Sequence, residues 1–164
     1  MTSSNKVNPI VRMQRLWQQL QHLPGGSWLF SRMLGWMIPY SGTIGANVKI
    51  LKPGYAQIQM RDRRRVRNHL HSIHALALCN LGELTSGLAM LTGLSATTRG
   101  IPIKISIEYY KKARGNLLAE STVVVPTVTK ETEFEIYTDI RDADGDIVAR
   151  TTVNWRLGPI PEKP

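Results

Sequence analysis

The sequence contains a single cysteine and comparatively few acidic residues. With only Cys79 in 164 residues, no intramolecular disulfide can form, and no cysteines and histidines have zinc-site spacing, so we expect no metal. Acidic residues number 12 against 21 lysines and arginines, a net charge of +9. Residues 1–17 lack the apolar core of a signal peptide. These absences predict a protein of the reducing cytoplasm.

The positive charge narrows the choice of ligand only partly. It suits nucleic acid, an acidic membrane surface or a phosphate-bearing small molecule equally well, and it is also compatible with a merely basic surface. The sequence has no base-stacking motif of the RNA-recognition type. We therefore expect no nucleic-acid partner.

The length and the hydrophobic pattern predict one domain, residues 1–164. Hydrophobic residues make up 42% of the chain, enough for a buried core. Residues 8–22 and 27–39 have the spacing and end signals of two helices, which form an extension over residues 1–41. A hairpin follows them, with "KPG" as its turn. We place the core of the domain at residues 42–158.

Residues 72–94 predict a long, buried helix, for which Ser72 is a plausible N-cap. The segment is almost long enough to cross a membrane, but polar groups within it argue against a span. Four strand-like segments follow, at 101–113, 116–128, 132–142 and 146–157. A helix that is apolar on all sides needs a sheet wrapped around it, so we predict an α+β fold.

Glu83 is the only charged residue in this helix. A buried carboxylate is costly unless it is paired, and burial raises its pKa, which suits a general base or a nucleophile. The alternative is that Glu83 points outward from a half-exposed helix. His74 lies nine residues earlier, about two and a half turns at ~3.6 residues per turn, on the opposite side. If both serve one small substrate, the second must come from another subunit, which predicts an isologous dimer.

The spacing of Asn68, His74 and Glu83 resembles that of the hot-dog fold thioesterases. The similar branch comprises the phenylacetate-pathway and 4-hydroxybenzoyl-CoA thioesterases, with the signature Asn-x-x-Gly-x-x-His-Gly-Gly followed by an acid. The resemblance covers roughly residues 42–158, and the whole chain is similar to a less characterised branch of thioesterase-like proteins. It implies an antiparallel sheet around one long central helix, paired into a homodimer or a dimer of dimers.

The resemblance also implies the roles of individual residues. Glu83 would attack a thioester carbonyl or activate water against it, and the amide of Ala75 in the partner subunit would polarise that carbonyl. Asn68 and His74 would orient the substrate. A helix N-terminus offers free N–H groups and a positive dipole end for such a task. The expected activity is acyl-CoA hydrolysis, with coenzyme A as part of the substrate and no separate cofactor.

The chain departs from the family pattern next to the histidine. His71 stands where the family has glycine, and Ala75-Leu76 replaces Gly-Gly. Ala75 keeps its N–H, whereas Leu76 narrows the space. A non-catalytic protein that binds an acyl group or acyl-CoA is therefore the alternative to a hydrolase.

Basic residues supply candidate contacts for the phosphates of coenzyme A. They form two clusters, one at Arg63, Arg64 and Arg65 and the other at Lys111, Lys112 and Arg114. Ser86, three residues after Glu83, is close enough to share its face and to hydrogen-bond it. The helix at residues 27–38 could cover an acyl tunnel or simply pack against the sheet.

Overall fold

The computed structural model describes residues 9–160. Its elements, in chain order, are α1 (Pro9–Leu20), α2 (Gly26–Met37), α3 (Pro39–Gly42), β1 (Asn47–Lys52), β2 (Tyr55–Met60), a 3-10 turn (Arg64–Val66), α4 (Ala75–Gly93), β3 (Thr98–Tyr109), β4 (Leu117–Thr122), β5 (Thr132–Arg141) and β6 (Ile147–Pro159). The predicted domain also included residues 1–8 and 161–164, and the first predicted helix began at residue 8. Those positions lie outside the described residues.

The six strands form one antiparallel sheet in the order β1-β2-β4-β5-β6-β3. Strand β1 lies at one edge and β3 at the other, so the crossover through α4 carries the chain from one half of the sheet to the far edge. The helix packs against strands from both halves. The predicted α+β architecture, a sheet wrapped around one long helix, is confirmed.

Helix α4 forms the centre of the core. Leu81, Ala89 and Met90 are fully buried, and Gly82 lets the helix approach β6, because a Cβ at that position would collide with Thr151. The hydroxyl of Thr138 on β5 donates to the Gly82 carbonyl at 3.0 Å. By length and composition the helix could cross a membrane, but 67% of its apolar window is buried within the fold. The core helix of a folded domain passes the same test.

The N-terminal helices cover the core beside β1. Trp17 of α1 and Phe30 of α2 are buried, and their rings meet edge to face with centroids 5.0 Å apart. Gln14 fixes α1 to the end of α4 by donating to the Thr92 carbonyl at 2.7 Å. On α2 the hydroxyl of Ser31 accepts the backbone N–H of Val48 at 2.8 Å, which ties the helix to β1.

Three local predictions were wrong. Strand β3 runs from Thr98 to Tyr109, whereas the prediction placed it at residues 101–113. The N-cap of α4 is His74, because Ser72 is held in the preceding loop and the chain stays extended for two more residues. Strand β4 ends at Thr122, whereas the prediction extended to residue 128. That predicted extension includes Pro126, which has no N–H to donate to a neighbouring strand.

Candidate functional site

Glu83 lies in the middle of α4 and is only partly exposed. Within the part of the chain that the structure describes, its carboxylate has no ion-pair partner and accepts no hydrogen bond. Burial raises the pKa of this carboxyl group. Partial burial and a raised pKa are compatible with a general base, and the role of Glu83 stays a prediction.

Glu83 has Gly87 and Trp155 as close neighbours. A Cβ placed on Gly87 would lie 3.8 Å from Oε1 of Glu83 and 3.8 Å from Cζ2 of Trp155. Both distances are ordinary van der Waals contacts, so the carboxylate and the indole ring lie on either side of Gly87. Sequence reasoning missed both neighbours. The four-residue spacing from Glu83 could have indicated Gly87, but nothing local could have indicated Trp155 on β6.

The N-terminus of α4 has one unoccupied backbone donor. Nδ1 of His74 accepts the N–H of Leu76 at 3.1 Å, and the His74 carbonyl accepts the N–H groups of Ala77 and Leu78 at 2.9 and 3.1 Å. The N–H of Ala75 has no acceptor among the described residues, and the residue is exposed. The donor predicted from the resemblance is thus free and accessible, at the positive end of the helix dipole.

Asn68 organises the loop that leads to this helix. Its Oδ1 accepts the N–H of Leu70 at 2.9 Å and both the N–H and the hydroxyl of Ser72 at 3.2 Å. The loop places His71 at φ 54°, in the left-handed region. A glycine would adopt that conformation without strain, which explains the glycine in the resembling signature. Because Oδ1 is occupied, an orienting role for Asn68 would fall to its Nδ2.

The two principal groups lie far apart within one chain. Ala75 and Glu83 are separated by eight residues of helix, about 12 Å at ~1.5 Å per residue. One thioester carbonyl therefore cannot meet both groups of a single α4. Ser86 does not bridge this gap, because its hydroxyl donates to the backbone carbonyl of Glu83 at 2.9 Å rather than to the carboxylate.

The second basic cluster flanks the N-terminus of α4. Lys111 is held by the carboxylates of Asp142 and Asp146, both at 2.6 Å, and hydrogen bonds from the lysine to these groups raise its pKa. Lys112 and Arg114 are exposed and have no acidic partner among the described residues. Ala113 between them accepts the N–H of Ile73 at 2.8 Å. Lys112 and Arg114 are therefore better placed than Lys111 to meet an anion.

The first basic cluster points in another direction. Arg63 donates to the carbonyls of Ile44 and Gly45 at 3.2 and 2.7 Å, and its guanidinium and that of Arg65 both approach Gly45. Burial lowers the pKa of Arg63, and the charge of Arg65 lowers it further. Arg64 is exposed in the 3-10 turn. The segments that carry the two clusters are neighbours, because the N–H of Gly115, next to Arg114, donates to the carboxylate of Asp62, next to Arg63, at 2.9 Å. The Arg63 guanidinium itself is directed to Ile44 and Gly45.

The β3 edge of the sheet has an uncovered apolar face. Ile105 pairs with Val153 and Tyr109 with Ala149, and both partners are fully buried, so these side chains belong to the core-facing side of the sheet. Nevertheless Ile105 is 42% and Tyr109 48% exposed. The phenol of Tyr109 donates to the Ala75 carbonyl at 3.2 Å. Ile107 between them packs against the core, so the exposed apolar part of β3 is limited to side chains such as Ile105 and Tyr109.

Comparison with known proteins gives a family and a fold. The family model described as "Domain of unknown function (DUF4442)" matches residues 26–157. Among curated proteins, none matches this sequence significantly.

Several solved structures have the same architecture. The protein titled genomics APC5556 is 28% identical with a TM-score of 0.79, and the alignment covers 91% of this chain and 99% of that one. A Pseudomonas aeruginosa protein titled PA5026, "Probable Thioesterase", is 22% identical with a TM-score of 0.73, covering 84% and 97%. A thioesterase family protein from Silicibacter pomeroyi is 17% identical with a TM-score of 0.67, covering 79% and 96%. These similarities confirm the hot-dog fold.

Proposed function

We propose, since the chain belongs to the DUF4442 family of unknown function, that it hydrolyses an acyl-CoA or a related thioester at a site shared by two copies. The observation that carries the proposal is Glu83, a partly buried carboxylate in the middle of α4 that has no ion-pair or hydrogen-bond partner among the described residues. The similar structures of a probable thioesterase from Pseudomonas aeruginosa and of a thioesterase family protein from Silicibacter pomeroyi support the reaction class. A reducing cytoplasm remains our expectation for its location.

The proposed reaction uses Glu83 as a general base. The carboxylate takes a proton from water, and the resulting hydroxide adds to the thioester carbonyl carbon. The N–H of the partner subunit's Ala75 stabilises the negative charge that develops on the carbonyl oxygen. The C–S bond then breaks, and Glu83 returns the proton to the departing thiolate, so the products are a carboxylic acid and a thiol. Direct attack by the carboxylate would lead to the same products after hydrolysis of an anhydride.

A second copy is required because the helix separates the two groups. The uncovered side of β3, with Ile105 and Tyr109, provides an apolar surface against which that copy would pack. An isologous pair would use this surface twice and create two equivalent sites. Lys112 and Arg114 lie beside the helix N-terminus, where they can meet the phosphates of coenzyme A.

Thiol release from a panel of acyl-CoAs of increasing chain length tests the proposal. We expect Glu83→Gln to fold normally and to lose roughly 10²–10⁴-fold in turnover, because the amide cannot accept a proton. The matched control is Glu131→Gln, an exposed carboxylate near Arg156 at the sheet surface. If Glu83→Gln retained more than about a tenth of the rate, Glu83 would not be the base.

The same assay separates hydrolysis from binding alone. Leu76, 64% exposed beside the free amide, narrows the entrance where the resembling signature has glycine, and this favours the binding alternative. If the wild-type protein bound acyl-CoA but released no thiol at any chain length, we would conclude that it carries or senses acyl groups and does not hydrolyse them.

A further inference from the structure

The outward side of α2 is apolar although it is exposed. Its large side chains recur at helical spacing and are exposed by 40–84%; they are Trp28, Leu29, Met33, Trp36 and Met37. Arg32 is the one charged residue among them. We call this surface the α2 outer face. The opposite side of the helix already packs on the core through Phe30 and Leu34, so the helix is apolar on both sides.

A cavity of about 480 Å³ opens beside this face. The indoles of Trp28 and Trp36 belong to its wall, and four arginines line it: Arg32, Arg61, Arg63 and Arg65. None of the four has an acidic partner within residues 9–160. Four guanidinium groups held this close without a counter-charge repel one another, and a set of anions would relieve that repulsion.

The second copy of the proposed dimer does not cover the α2 outer face. Helix α2 packs on β1, at one edge of the sheet, whereas the uncovered apolar strand β3 is at the other. A small phosphorylated ligand in the cavity would reach Trp28 and Trp36 but not Leu29, Met33 or Met37, which are outside the cavity lining. A single partner that explains both features must be extended, apolar and anionic at its surface.

We propose that the α2 outer face docks this protein on a membrane rich in anionic phospholipid. Indole rings are favourable at the boundary between headgroups and acyl chains, and a helix lying in that plane buries its apolar side a few ångströms deep. The arginines in the cavity then bind the lipid phosphates through charge-assisted hydrogen bonds. In this arrangement α4 stays in the core of the fold and does not cross the bilayer. The proposal is independent of thioester hydrolysis.

Flotation with lipid vesicles tests the docking of the full chain. We expect the protein to float with phosphatidylcholine vesicles that contain phosphatidylglycerol, and to stay in solution with pure phosphatidylcholine. Lipids brominated in their acyl chains should also quench tryptophan fluorescence. The other two tryptophans, Trp17 and Trp155, are 4% and 3% exposed, so quenching reports on Trp28 and Trp36.

Two double variants distinguish the apolar contribution to vesicle binding from the electrostatic one. Met33→Ser/Trp36→Ser should abolish both flotation and most of the quenching, and Val124→Ser, at an 88% exposed position, is its control. Arg32→Gln/Arg61→Gln should weaken binding roughly thirtyfold, since each cation near an anionic surface contributes about 1 kcal/mol. Arg99→Gln/Lys130→Gln removes the same charge elsewhere and should have a smaller effect. Melting temperatures verify that each variant is folded.

Several results would overturn the proposal. Absence of flotation with phosphatidylglycerol vesicles would do so. Flotation that Met33→Ser/Trp36→Ser leaves intact would show that binding is due to overall charge. Self-association that this variant abolishes, without vesicle binding, would assign the face to a second copy. The flotation assay contains no thioester, so a failure of the proposed hydrolysis cannot produce any of these results. Met33→Ser/Trp36→Ser should hydrolyse a short, soluble acyl-CoA at the wild-type rate.

Discussion

Cys79 and Glu83 lie one helical turn apart on α4, and the carboxylate suppresses ionisation of the thiol. Burial raises the pKa of the Cys79 thiol, and the charge of Glu83 raises it further. Glu83→Gln removes that charge, so we expect the thiol pKa to fall and iodoacetamide to alkylate Cys79 faster at a fixed mildly alkaline pH. Glu131→Gln serves as the control. If the alkylation rate of Cys79 were the same in both variants and in wild type, the charge of Glu83 would have no influence on the thiol pKa.

Ala75→Pro should remove the proposed carbonyl-polarising donor without breaking the helix. Proline is well accepted at the first helical position, and His74 before it has φ −66° and ψ 140°, a conformation that precedes proline readily. Loss of one such donor lowers kcat by roughly 10²–10³-fold in other enzymes. Ala75→Gly keeps the N–H and should retain most of the activity. Equal rates for the two variants would rule out a role for this amide.

The stability of the protein should depend on pH through Glu83. Burial raises the pKa of this group above its unfolded value of about 4.3, so its contribution is fully present below that pH and is lost as pH rises through the folded pKa. Glutamine cannot ionise and has no such loss. We therefore expect Glu83→Gln to have the same Tm as wild type near pH 4 and a higher Tm than wild type at neutral pH. A difference in Tm that does not change with pH would contradict this.

Ile105→Lys should separate the subunits and abolish turnover together. The side chain is already 42% exposed in one chain, so folding should be little affected, whereas a lysine buried between two copies would have no partner. Such a charge costs about 3–5 kcal/mol, which would weaken dimerisation by at least roughly a hundredfold. Light scattering and thiol release measure the two effects, with Val124→Lys as control. A wild-type monomer at micromolar concentration would remove the basis for a shared site.

His71→Gly should stabilise the fold. At φ 54° a residue with a Cβ is strained by roughly 1–2 kcal/mol, and glycine would relieve this strain. Glycine also loses more backbone entropy on folding, which offsets about 0.5–1 kcal/mol of the relief. We expect the free energy of unfolding in urea to rise by up to about 1.5 kcal/mol. His69→Gly, two residues earlier and not at positive φ, should give no gain. Equal effects at both positions would show that the backbone strain at His71 is negligible.

The sequence contains the order of elements but not the surroundings of the site. Helix α4 has few β-branched residues, and β5 and β6 alternate regularly, so local periodicity indicates both. The residue type at position 71 does not predict its positive φ, because histidine, unlike glycine, rarely adopts that conformation. The approach of Trp155 to Glu83 depends on where β6 crosses α4, which is a property of long-range packing. The partial burial of Glu83 follows from the same packing.

The two edges of the sheet are unequal, and they differ in how well they suit pairing with a further chain. Strand β3 offers twelve residues, whereas β1 has six, carries an irregularity between Val48 and Ile50, exposes Lys49 and Lys52, and is partly covered by α2. Short, irregular, lysine-bearing edges resist further pairing. When two copies join through β3, the combined sheet ends on both sides in β1. In such a dimer, further edge-to-edge pairing would have to begin from β1, which is the less suitable of the two edges.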